Sequence, residues 1–446
     1  MAQTQRKRHA LFKKVHLRRL YYGWVIVIVV ALLQFAGGTE THPVLGIFLK
    51  PMTEEFGWSR TNFSAPLTIG TFLGGLLGLV VGPALDRYGG KWILAIAALF
   101  LGTVFMLMGF LQELWQHYIL QTLARTIIAG TFFMVVSIII PKWFVKKRGR
   151  ATAYAGLGGR AGHFFLPLMV QRVNSFAGWR MAWMSLGMIV WSLTVVPVIL
   201  LLRRRPEDMG LLPDGLTPGE AGTTSEGSPN ETSPGTPPAR EEVSMGPREV
   251  LRTRAFYLIL TAQSLLTFAI AGTHFHWFAY LTGHGISEEV AVGSIAISSL
   301  AGIPVSLWAG FLAERIHVRY ILAATYVAVA GTIVMLIYTT TPVMAYVFAI
   351  ALGASSGVIF TLSLIVWADY FGRHSVGAIR GLTAPVNMFT NAMGPLLAAV
   401  VFDVTGSYTL ILWIFAIVVG GSTICWFLAV PPQHSQSQGK LKGYGV

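Results

Sequence analysis

Long apolar runs alternate with short polar breaks along almost the whole chain, and each run is about the length of a bilayer-crossing helix, roughly 20 residues. Twelve such helices are predicted, at 21–49, 62–84, 92–112, 116–140, 150–173, 181–202, 254–283, 288–312, 319–339, 343–367, 377–402 and 407–430. The first and the seventh are longer than a bilayer needs, which predicts a tilt or a break in each. Between the sixth and the seventh the material changes. Residues 206–250 are Pro, Gly, Ser, Thr and Glu with scarcely a large apolar side chain, too little burial to offset the entropy of ordering them. The pattern divides the chain into a basic N-terminus (1–20), a six-helix bundle (21–202), a disordered linker (203–253), a second six-helix bundle (254–430) and a tail (431–446).

The two halves share a turn. Gly82-Pro83-Ala84-Leu85-Asp86-Arg87-Tyr88-Gly89-Gly90-Lys91 follows the second run, and Gly310-Phe311-Leu312-Ala313-Glu314-Arg315-Ile316-His317-Val318-Arg319 follows the eighth. In both, a glycine is followed after three residues by an acid and an arginine, with a basic residue four further on. A charged turn repeated at matching places in two apolar halves implies a duplicated membrane protein.

Composition agrees. Of the 446 residues 54% are hydrophobic and 12% charged, with a mean hydropathy of +0.62, where a soluble chain carries about 25% charged residues. The net charge of +14 invites a nucleic-acid reading, but its distribution argues against one. Lys and Arg gather before the first run, in alternate loops (87–91, 142–150, 203–205, 315–319, 373–380) and in the tail, while the other loops hold Glu113, Glu288, Glu289 and Asp403. Lys50, Arg60, Arg172 and Arg180 are the main exceptions. That asymmetry places both termini in the cytoplasm, with some contact to anionic lipid at the N-terminus. No basic, aromatic-bearing soluble module is present for nucleic acid. The single cysteine, Cys425, excludes an intrachain disulfide and a cysteine metal site.

Duplicated six-helix halves, a central loop and the Gly-x-x-x-Asp-Arg-x-Gly-x-Lys turn together resemble the major facilitator superfamily. Finer matches resemble its monocarboxylate transporter and oxalate:formate antiporter group. These are Tyr22-Gly23-Trp24, Gly46-Ile47-Phe48-Leu49-Lys50-Pro51-Met52, Glu55-Phe56-Gly57-Trp58-Ser59-Arg60, Lys147-Arg148-Gly149-Arg150 and Gly178-Trp179-Arg180. The resemblance implies an all-α membrane protein, two pseudo-symmetric bundles of six helices around a midplane cavity, working by alternating access. One departure matters. Resembled anion carriers have an arginine in the eighth run four residues before the glycine of the second turn, where this chain has Ser306, and the eleventh run has no lysine. The charge for an anion must then come from elsewhere.

Ionisable side chains inside a span cost about 2.5–3.5 kcal/mol on insertion scales and are functional candidates by default. Glu40 and His42 are the clearest. Aligned back from Pro51, they stand where the resembled families line their cavity, and Gly37, Gly38 and Pro43 allow the helix to unwind there. A carboxylate held against apolar surface can take up a proton at physiological pH, and histidine titrates there unaided; the plain alternative is a solvated pair at the mouth. Arg125, in the fourth run, needs an acidic partner, for which Glu40 is the candidate; a structural pair and an anion site both stay open. In the fifth run Gly156, Arg160, His163 and Pro167 share one helix face, an anion path or a side chain snorkelling to the surface. In the seventh, His276 and Tyr280 are one turn apart, as on a cavity face, whereas His274 and His276 cannot face one metal ion together. Asn387, Asn391 and Gln263 are neutral hydrogen-bonding groups for substrate or for helix contacts.

Asp86, Arg87 and Lys91, with Glu314, Arg315 and Arg319, read as a conformational latch: acid–arginine contacts made in one access state and broken in the other. No nucleotide loop, metal motif or nucleophile elbow occurs, so no cofactor is expected, an enzyme has no residues to rest on, and energy must come from a gradient. The expectation is a monomeric, proton-coupled secondary transporter of a small organic anion, a carboxylate first of all, in the plasma membrane, specifically a bacterial inner membrane. Export of amphipathic drug-like compounds is the rival, with a membrane sensor on a transporter scaffold behind it.

Overall fold

A bilayer interior offers the backbone no hydrogen-bond partner, so each apolar run has to close its own ladder. The computed structural model is accordingly helical, with no strand among the described residues, which are 21–88, 90–132, 139–140, 142–144, 147–212, 214, 247–313, 315–371 and 376–432. The first half contains α1 (Gly23–Gly37), a 3₁₀ turn (Gly38–Glu40), α2 (His42–Phe56), α3 (Arg60–Tyr88), α4 (Gly90–Met108), α5 (Leu114–Gly130), α6 (Arg148–Val190), a π turn (Trp191–Val195) and α7 (Val196–Leu201). After a short α8 (Pro247–Val250), the second half contains α9 (Arg254–Gly283), α10 (Glu288–Ala313), α11 (Val318–Ile337), α12 (Pro342–Phe371), α13 (Val376–Thr405) and α14 (Thr409–Leu428).

Nine stretches among the described residues are long and apolar enough to cross a membrane. One of them, Arg150–Leu201, holds two passages, because Gly178 turns the chain inside α6 at φ 81°, a left-handed value that glycine adopts freely. With α3 and α5 the passages number twelve, as the apolar pattern predicts. The overlong first run breaks where its glycines allow: α1 ends in the 3₁₀ turn, Thr41 is extended (ψ 148°), and α2 restarts with Pro43 in its first turn. The overlong seventh does not break. α9 is a continuous helix of 30 residues, about 45 Å at 1.5 Å per residue, so tilt or projection beyond the hydrocarbon must absorb the excess.

Within each half, glycines let backbones touch. A Cβ on Gly158 would lie 1.9 Å from the Ala31 carbonyl oxygen, which joins α6 to α1, and one on Gly353 would lie 2.1 Å from that of Ser298, which joins α12 to α10. The halves meet along α2–α9, α3–α13 and α6–α10. The linker is ordered at its near end, contrary to the composition reading. Asp214 is buried, and its carboxylate accepts the Lys147 amide at 3.0 Å beside the start of α6. Burial and a helix-capping bond supply there what composition alone withheld.

Candidate functional site

The break between α1 and α2 builds the first part of the site. Glu40, 1% exposed, ends the 3₁₀ turn, and both its carboxylate oxygens accept from one donor, Gln121 Nε2 on α5, at 3.1 and 3.0 Å. One turn further along α5, Arg125 donates from Nη1 to the Glu40 carbonyl at 2.6 Å and from Nε to Thr71 Oγ1 on α3 at 2.8 Å. Gly70 makes this possible, since a Cβ there would lie 2.6 Å from Arg125 Cβ. The expected Glu40–Arg125 pair is therefore corrected in detail. The residues do meet, but the guanidinium serves the carbonyl that unwinding released, and a glutamine holds the carboxylate. Gln121 was missed because a polar residue one turn before an arginine looks like any other mid-helix glutamine.

Arg160 forms the second part. Half-buried on α6, it reaches across to the other half, where Nη2 donates to Ser306 Oγ on α10 at 3.4 Å and the guanidinium stands 5.8 Å from the Phe360 ring centre. Among the described residues no carboxylate pairs with it. The serine that replaces the resembled carriers' arginine is thus met by an arginine from the opposite bundle. His163, one turn on, is exposed although α6 packs against α10 there, and its carbonyl accepts from Ser299 Oγ at 3.4 Å. The His42 ring lies 6.3 Å from that of Phe275 on α9. On α13, Asn387 and Asn391 are half-buried; Asn387 Oδ1 and, on α9, Gln263 Nε2 have no hydrogen-bond partner among the described residues.

His276 and Tyr280 depart from the expected cavity face. Both nitrogens of the buried His276 are engaged inside the second half, Nδ1 with Tyr408 Oη at 2.8 Å and Nε2 with the Pro395 carbonyl at 3.0 Å. A carbonyl only accepts, so Nε2 carries the proton and Nδ1 accepts from the tyrosine. Tyr280 donates to the Ile337 carbonyl at 3.0 Å. Spacing put the two on one face correctly, but that face is packed.

The sequence reading also missed where the halves lock. Asp403, at the end of α13, accepts the backbone N–H groups of Arg60 and Thr61 at 3.0 and 2.8 Å, capping α3 of the other half. Arg60 lies 3.5 Å over the Phe402 ring and donates to Tyr408 Oη, which joins it to His276. Gln171 donates to Glu288 at 2.5 Å and Thr68 to the Ala392 carbonyl at 2.9 Å, again between halves and at the same end. Arg60 and Asp403 read in sequence as loop charges, and only the fold brings them together. At the opposite end, the Asp86 side chain and Glu314 lie outside the described residues. Arg87 and Arg315 are exposed, Lys91 Nζ stands 5.3 Å from the Trp92 ring centre, and Arg319 donates to its neighbour Tyr320 at 2.6 Å.

Three comparisons bear on this arrangement. The family model described as Major Facilitator Superfamily matches residues 24–394. The MFS transporter asaE of Aspergillus flavus is 23% identical over 75% of this chain and 69% of its own length. The aspyridones efflux protein apdF of Emericella nidulans is 24% identical over 71% of this chain and 59% of its own. The partially occluded inward-open structure of the xylose transporter XylE from E. coli superposes with a TM-score of 0.67 over 94% of this chain and all of that one, at 13% identity. None of these singles out the monocarboxylate and oxalate:formate group, and the two fungal relatives lend nothing to a bacterial inner membrane.

Proposed function

The chain belongs to the major facilitator superfamily, and from that premise we propose that it is a proton-coupled secondary transporter of a small organic anion, a carboxylate in the first instance. The observation that carries the proposal is Arg160. A half-buried guanidinium at the seam of two bundles, bonded only weakly to a serine and paired with no described carboxylate, is a charge awaiting an anion. Glu40 is the proton carrier in this reading, since its carboxylate is buried away from water and, among the described residues, no cation bonds it. The Lys and Arg asymmetry puts both termini in the cytoplasm. The Arg60–Asp403 end is then the outer one, and its cross-half contacts describe a state closed to the outside. Asp86 to Lys91 and Glu314 to Arg319 remain our candidates for the latch at the cytoplasmic end.

A second reading has its own support. The relative named as an aspyridones efflux protein favours export of an amphipathic compound, and the Phe360 ring beside Arg160 suits a cargo with an apolar body. One experiment separates the two. Purified protein in proteoliposomes is given an inward pH gradient and a panel of radiolabelled monocarboxylates, amphipathic acids and neutral amphipathic compounds. A carboxylate accumulates, a protonophore collapses the accumulation, and Glu40→Gln abolishes it while counterflow exchange survives. Movement of neutral compounds alone, unaffected by the protonophore, overturns the anion reading.

A further inference from the structure

Glu40 has an unusual partner for a buried carboxylate. Both oxygens are served by a single amide NH₂, and the other end of that amide, Gln121 Oε1, is buried with no hydrogen-bond partner among the described residues. An idle buried acceptor is costly, so its position calls for a reason. A carboxylate and a carboxylic acid make opposite demands. The first only accepts hydrogen bonds; the second has an O–H that must donate. Arg125 cannot receive that proton, because guanidinium has no acceptor and is held on the Glu40 carbonyl and on Thr71. Gln121 can. A half-turn of its terminal amide exchanges Nε2 for Oε1, which offers the acid an acceptor where the carboxylate had a donor.

We propose that Gln121 is the positioning residue for protonation of Glu40, its amide turning over so that both the charged and the neutral carboxyl keep a hydrogen bond. This rests on the reading of Glu40 as the proton carrier. The turn Gly38–Glu40 packs against α1, α2, α5 and α6. Toward this turn those elements carry Arg125 and the buried His117 on α5, His42 at the start of α2, and Arg160 and His163 on α6, about the Gly162 on which Gly38 rests; His117 is turned to the Phe63 carbonyl, 3.0 Å from its Nε2, and α1 has none. Of these only Arg125 bonds Glu40, and at its backbone, so Gln121 alone answers the state of the carboxyl.

The test needs no cargo. Infrared difference spectra of the full chain in lipid, recorded against pH, show the carboxylic C=O band of a titrating acid, and loss of the band in Glu40→Gln assigns it. Gln121→Leu removes both donor and acceptor. The charged form suffers more in an apolar site, so the band persists to a pH at least one unit higher, a tenfold change in proton affinity. Gln121→Lys places an ammonium on the carboxylate, and the band disappears or retreats to acid. A merely structural glutamine predicts lower thermal stability with an unmoved midpoint, and that result overturns the proposal. Should Gln121→Leu not fold, Gln121→Met, which keeps the side chain's length and likewise lacks the amide, decides by the same midpoint. A parent spectrum with no Glu40-dependent band removes the proton reading itself, a failure distinct from a band that ignores Gln121.

Discussion

Arg125 and Arg160 carry the same charge inside the same half, and their partners separate them. Arg125 is held by two short bonds, to the Glu40 carbonyl and to Thr71, while Arg160 holds one 3.4 Å bond to Ser306. Arg125→Gln should therefore act on folding. It strands the buried Glu40 carbonyl, at about 1–3 kcal/mol for a group left unsatisfied, takes one donor from Thr71, whose hydroxyl still donates to the Leu67 carbonyl, and lowers the thermal midpoint of the ligand-free protein. Arg160→Gln should leave that midpoint nearly unchanged and weaken anion binding by about 2 kcal/mol, roughly thirtyfold, as for loss of a charge-assisted contact. Thermal-shift titration with a carboxylate that passes the proteoliposome screen reads both effects; equal losses of anion affinity in the two variants would contradict the division of roles. Sequence made both arginines visible, because charge in an apolar run is conspicuous. It could not rank them, since rank depends on which atoms of Glu40, Thr71 and Ser306 come within reach. Gln121 stayed invisible for the same reason, its importance lying wholly in a contact to a residue 81 positions away.

Glycine plays two parts along these helices, and only the fold tells them apart. Gly158 lets α6 touch α1 inside one half, whereas Gly46 on α2 lets that helix touch α9 of the other half, where a Cβ would lie 2.2 Å from the Phe275 carbonyl oxygen. Contacts within a half persist through the cycle, and contacts between halves at one end must part. Gly158→Val should thus damage the fold itself, with reduced yield and a lower thermal midpoint. Gly46→Val should fold and bind, yet resist closure at the Arg60 end. Cross-linking of cysteines at Thr68 and Ala392, with Cys425→Ala as background, measures that closure; the Thr68 hydroxyl reaches the Ala392 carbonyl only when the halves are together. Normal cross-linking in Gly46→Val would show that α2 and α9 slide without parting. Most element positions were legible from the apolar pattern to within a few residues, the break at Gly38–Glu40 included, but the fourth run, predicted to reach 140, ends as α5 at Gly130. The unbroken α9 was not separable from a broken one, because helix length states the mismatch and packing decides how it is absorbed.

For the molecule as a whole, the state seen here is held by few groups at the end where α3 begins. The Asp403 carboxylate takes two amide N–H groups of a helix belonging to the other half, where the helix dipole favours an anion. Arg60, the first residue of that helix, returns the contact through Phe402 and Tyr408. When the halves separate, these amides lose their cap, so the bond contributes to one state and not the other, the condition for biasing a two-state equilibrium. Asp403→Ala removes both bonds and the charge; Asp403→Asn keeps the shape and one acceptor. Two charge-assisted bonds partly replaced by water are worth about 1.5–3 kcal/mol. The ratio of closed to open protein should accordingly fall at least tenfold in Asp403→Ala and less in Asp403→Asn. Distance distributions between spin labels on Asn62 and Ser407, taken in lipid, resolve the two populations directly. Both sites lie at the helix ends beside the cap, with no share in its bonds to Asp403. Intrinsic affinity for cargo should stay within a few-fold once corrected for population, because Arg160 and Glu40 are untouched. An unchanged distribution in Asp403→Ala would mean that the apolar seam of α2, α3, α6, α9, α10 and α13 closes this end unaided, and that the ionic cap only decorates it.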